Sequence, residues 1–141
     1  MKLRLLFLIV LIITISSCTR NRRHPVPNIP FDITINLSLP SYNDLIGVGG
    51  VAYVNGGSKG IIVYHRGVDD YVAFDRHSPL DELSECNTPL YPDSNNYLIL
   101  IDECNDGQFS LYDGSPISDS EFGLRQYQTM WDGNQALRIF N

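Results

Sequence analysis

The stretch GVGGVAYVNGGSKGIIVYHRGVDDYVAFD, residues 47 to 75, decides the fold class. Within it GVGGVAYV (47 to 54) and KGIIVYH (59 to 65) flank Asn55-Gly56-Gly57-Ser58. Runs of Val, Ile, Tyr and Phe broken by a Gly-rich turn favour a β-hairpin. A third run, YVAFD (71 to 75), follows turn residues at Gly67 to Asp70 and extends the hairpin into a meander.

The same pattern continues in both directions. Upstream, FDITINLSLP alternates apolar and polar residues at Ile33, Ile35, Leu37 and Leu39, the period of a half-buried strand, and Pro40 ends it. Downstream come YLILI (97 to 101), QFSLY (108 to 112) and the turn Asp113-Gly114-Ser115-Pro116. RQYQTMW (125 to 131) then pairs with QALRIF (135 to 140) across Asp132-Gly133-Asn134, a second hairpin. Helical periodicity does not compete over any comparable window after residue 18. The expectation is an all-β domain over residues 31 to 141, a small barrel or sandwich of about eight to ten short antiparallel strands. Residues 76 to 96, RHSPLDELSECNTPLYPDSNN, form a long turn-rich excursion, the kind of loop that is functional or stapled.

A chain of 141 residues, 43% of them hydrophobic, suits one core plus a targeting segment. Residues 1 to 17, MKLRLLFLIVLIITISS, run from Lys2 and Arg4 through an apolar stretch into small polar residues, the order of a secretory signal. Ile15-Ser16-Ser17-Cys18 is similar to a bacterial lipobox, which marks Cys18 for lipidation, residues 18 to 30 as a flexible tether, and the cell envelope as the location. Thr19 is compatible with outer-membrane sorting. Lipidation of Cys18 leaves Cys86 and Cys104 in an exported chain, where one disulfide is the default and two unpaired thiols the alternative. The bridge would close a loop of about 18 residues, worth roughly 3 kcal/mol by chain entropy.

Net charge is −6 overall, yet from His24 onward five basic residues (Lys59, Arg66, Arg76, Arg125, Arg138) face all 16 acids. So acidic a domain excludes a nucleic-acid partner. Arg20, Arg22 and Arg23 instead precede it, beside the expected membrane anchor.

From about Gly47 to Asn141 the chain resembles the Rieske-type domain, specifically the Rieske-like lipoproteins of Bacteroidetes. The residues carrying the resemblance are YVAFDRHSP (71 to 79), GQFSLYDGSPI (107 to 117) and LRQYQTMWDGNQALRIFN (124 to 141). The family implies two loops meeting at one tip of a β-structure, each supplying a Cys and a His to a 2Fe-2S cluster. Laid on this sequence, the first Cys and His positions fall on Ser78 and Leu80, the second on Asp102 and Asn105. All four ligands are replaced. The resemblance also implies an additional cysteine in each loop, joined as a staple; Cys104 matches its place and Cys86 lies a few residues late.

These replacements point to a cluster-free module, with no metal and no catalytic residues assigned. The rival reading is a 2Fe-2S electron-transfer protein with unconventional ligands. Asp81, Glu82, Glu85, Asp102, Glu103 and Asp106 would converge at the tip, as a solvated rim, a set of oxygen ligands for Ca²⁺ or a docking point for a basic protein partner. Asp75 and Arg76 are expected to pin the loop rather than to catalyse. His24, His65 and His77 fit no nucleophile–base set in the sequence.

Overall fold

The computed structural model describes residues 23–141. The expected signal segment and Cys18 lie outside the described residues. Nine strands form: β1 (Asp32–Asn36), β2 (Val51–Val54), β3 (Ile61–Gly67), β4 (Asp70–Asp75), β5 (Tyr91–Pro92), β6 (Ile99–Asp102), β7 (Gly107–Ser110), β8 (Gln126–Trp131) and β9 (Ala136–Phe140), with one 3-10 turn at Asn43–Ile46. They make a curled antiparallel sheet of six strands, ordered β1-β9-β8-β4-β3-β2, and a three-stranded sheet ordered β5-β6-β7. The all-β expectation is met.

β3 and β4 sit at the centre because both of their faces are apolar. Ile61, Val63, Tyr71 and Ala73 join one core cluster with Ile35, Val54, Tyr127, Leu137 and Ile139, inside the curl of the large sheet. The alternate residues Ile62, Tyr64, Val72 and Phe74 face a second cluster built with Leu90, Leu100, Phe109 and Leu111 from the small sheet and its approaches. Each such buried side chain contributes about 1.5 to 3 kcal/mol relative to exposure. Strands buried on one face only, such as β9, keep a strict alternation instead.

Both expected hairpins form. β2 and β3 register Val54 against Ile61, and β8 and β9 register Trp131 against Leu137. In the second turn the Asp132 carboxylate accepts from Asn134 N and Ala136 N, which fixes its shape. Three details depart from the sequence pattern. Residues 47 to 50 are loop rather than the start of β2, β5 arises within the excursion, and Leu39 is 49% exposed rather than inward. The last follows from Asn36, whose side-chain oxygen accepts from Ser38 N and turns the chain out of β1 before Leu39 is reached.

Part of the segment read as a tether packs on the domain. Val26 is fully buried, its carbonyl accepts from the Arg125 guanidinium at 2.9 and 2.5 Å, and His24 Nε2 lies 2.9 Å from the carbonyl of Gly123 while its ring meets Phe122 edge-on. Further along, Asn141 Nδ2 donates to Ile29 O and to Asn28 Oδ1. Among the described residues no helix is long and apolar enough to cross a membrane.

Candidate functional site at the stapled loops

Two loops meet beyond the ends of β4 and β6: residues 76–90, leaving β4, and residues 103–106, between β6 and β7. Cys86 and Cys104 join them in a disulfide with Cα atoms 5.9 Å apart. Contact is close enough that a Cβ at Gly107 would come within 2.7 Å of Leu80 Cδ1, so a side chain there would have to displace Leu80.

Each of the four positions the resemblance singled out has a role of its own. Ser78 is buried, and its hydroxyl accepts from Leu80 N at 3.1 Å. Leu80 packs against the second core cluster. Asp102, only 2% exposed, closes the 103–106 turn: its carboxylate accepts from Cys104 N, Asn105 N and Asn105 Nδ2 at 3.1, 3.2 and 2.9 Å. Asn105 is exposed and clamps that carboxylate. The donor set does not fit an iron–sulfur cluster, for it holds no thiolate and no imidazole, and a leucine cannot ligate. The carboxylate of Asp102 and the two sulfurs lie within 4.8 Å of one another, but both sulfurs are committed to the disulfide.

The six tip acids divide rather than form one rim. Glu82, Glu85, Glu103 and Asp106 are exposed, whereas Asp81 and Asp102 are buried. Asp81 serves a polar junction that the sequence did not reveal. Its Oδ2 receives Lys59 Nζ at 2.5 Å, its Oδ1 accepts from Glu85 N at 2.9 Å, and Lys59 also donates to Cys86 O. Burial pushes the Asp81 carboxyl up, but the Lys59 ammonium and the backbone N–H groups of Cys86 and Glu85 outweigh it and hold the group below the ordinary aspartate value. A depressed folded pKa contributes stability above the unfolded value, about 3.9, that disappears as pH falls through the folded value. The urea midpoint should therefore drop below about pH 4, and Asp81→Asn should flatten that drop while lowering the neutral-pH midpoint.

His77, 1% exposed, completes the junction. Its Nε2 lies 3.0 Å from the carbonyl of Asp81, which can only accept, so Nε2 carries a proton; it is also 3.6 Å from the Asp81 carboxylate, and Nδ1 lies 2.7 Å from the Ser58 hydroxyl. A hydroxyl beside an imidazole has the form of a nucleophile–base pair. The backbone donors that might serve an oxyanion are already taken: Ser58 N and Lys59 N both donate to the Asp75 carboxylate, at 2.6 and 3.1 Å. Asp75, fully buried, also accepts from His77 N at 2.9 Å and from Tyr127 Oη at 2.9 Å. Gly57, at φ +62°, faces this carboxylate and phenol so closely that no side chain would fit. The geometry serves to lock the β2–β3 turn onto the stapled loop, matching the pinning role expected of Asp75.

Arg76 anchors the far side of the loop by donating to Leu90 O at 2.7 Å, with its guanidinium over the Tyr53 ring. His65 stacks on Tyr71 at 4.2 Å, remote from this junction in the β3–β4 register, so the three histidines stay separate. His77 and Asp81 are four residues apart in one loop, whereas Ser58 comes from the β2–β3 turn and is brought to them only by the fold.

No family model, curated protein or solved structure matches the chain.

Proposed function

We propose that the protein is an envelope lipoprotein whose Rieske-like domain carries no cluster and acts as a structural or protein-interaction module. One observation carries this reading: the disulfide joins the two loops, while Ser78, Leu80, Asp102 and Asn105, at the ligand positions of the resemblance, are each engaged in building those loops. A cluster would need two thiolates and two imidazoles at positions that supply a hydroxyl, an alkyl group, a carboxylate and an amide. The exposed Glu82, Glu85, Glu103 and Asp106 around the staple suit a basic partner surface, and the net acidity of the domain would steer such a partner toward it.

Iron and acid-labile sulfide analysis, with a visible spectrum, tests this on protein made in its own compartment. The expected result is neither iron nor sulfide in stoichiometric amount. About two irons per chain would replace the proposal with a 2Fe-2S electron-transfer protein using unconventional ligands.

A further inference from the structure

We infer that the docked segment His24–Ile29 turns the lipid anchor into a short leash and sets which surface of the domain faces the bilayer, namely the patch around Phe122 and Asp119. The inference rests on the lipidation of Cys18 proposed above. Were the chain free up to Phe31, where the domain begins, thirteen residue steps from Cys18 would reach roughly 45 Å when extended. Docking moves the first fixed point back to His24, six steps from Cys18, with a reach of about 20 Å.

That fixed point is held by groups of different kinds. Val26 is fully buried, Arg125 grips its carbonyl, His24 Nδ1 accepts from Val26 N at 3.2 Å, and the other ring nitrogen meets Gly123 O. Asn141 closes the segment from the opposite end. An anchor bearing two or more acyl chains does not leave the bilayer readily, so a leash this short confines the surface where it docks. Arg20, Arg22 and Arg23 fall within the leash, where each gains about 1 kcal/mol near an anionic surface, which further shortens the mean separation. By contrast the β8–β9 turn at Asn134 lies at the other end of β8 from Arg125.

The experiment uses the full lipidated protein in vesicles containing anionic lipid and a headgroup quencher. A fluorophore is attached at Asp119→Cys, three residues before the Phe122 ring that meets His24, or at Asn134→Cys; both positions are exposed, and the native disulfide is left intact. Quenching at 119 should exceed that at 134 several-fold. Inserting twenty Gly/Ser residues between Arg23 and His24 leaves the domain untouched and should bring the two values together; Val26→Asp should do the same by undocking the segment. Equal quenching in the parent chain, or a difference that survives the insertion, overturns the orientation. Failure of the protein to float with vesicles refutes the lipid anchor itself, which separates the two ideas.

Discussion

Replacing Asp75 by alanine is expected to destabilise the domain by about 4 kcal/mol or more, the largest effect of any single polar substitution here. The change strands the buried His77 N and Tyr127 hydroxyl together with two half-buried backbone donors, Ser58 N and Lys59 N. Each unsatisfied buried group costs about 1 to 3 kcal/mol, and the half-buried pair adds to that a smaller loss. Tyr127→Phe isolates one of the four bonds and should cost about 1.5 to 3 kcal/mol, because the acceptor is charged. Burial and the neighbouring Asp75 charge both hold the Tyr127 phenol protonated far above its ordinary range, so this bond persists into alkaline solution. Urea denaturation of the two variants against the parent measures both effects. A loss below about 1.5 kcal/mol for Asp75→Ala would mean that the turn finds other acceptors.

The second large effect concerns the staple. Substituting Cys86 and Cys104 together by alanine should lower stability by about 3 kcal/mol, the loop-closure value for a separation of 18 residues. Most of that loss arises in the unfolded chain rather than the native one. Cys86 remains held without its sulfur, since its N–H donates to Asp81 and its carbonyl accepts from Lys59. The denaturation midpoint should therefore fall while the amide of Cys86 keeps its protection from hydrogen exchange. Loss of that protection at a modest change in midpoint would reverse the assignment and make the disulfide the local clamp.

Much of the fold was legible because its signals are local. The turn residues Asn55–Ser58 and Asp132–Asn134 mark hairpins where they occur, and alternation at Ile33, Ile35 and Leu37 places β1 correctly. Leu39 defeated the pattern because a side-chain acceptor two residues upstream of Ser38 redirects the backbone, a contact that alternation does not register. β5 escaped notice because it is two residues long and one is proline. The candidate site was legible in part: Cys86 and Cys104 were expected to pair, and they do. Asp81 and Asp102 looked like surface acids, as composition alone suggests, but each lies buried on backbone donors that the chain supplies only after it has turned. The Ser58–His77–Asp81–Lys59 junction was invisible because it is assembled from a hairpin turn and a loop that share no motif. The packing of His24–Ile29 was hidden by a composition of Pro, Asn and His that reads as a spacer.

The pairing of β1 with β9 has a bearing on how the molecule reaches its native state. Ile33 sits opposite Ile139 and Ile35 opposite Leu137, so among the described residues β1 finds its only strand partner in β9. Sheets closed by contacts this distant in sequence fold slowly, typically in milliseconds to seconds, since the closure entropy must be met before the contacts reward it. Strand β1 can pair only after β9 has been synthesised, and a chain truncated before Ala136 loses the ladders that β9 makes with β1 and β8. The central meander, β2 to β4, is made of neighbours and is able to form early. Completion of the large sheet is thereby tied to the arrival of β9, which keeps a nascent molecule from closing its sheet around a missing strand.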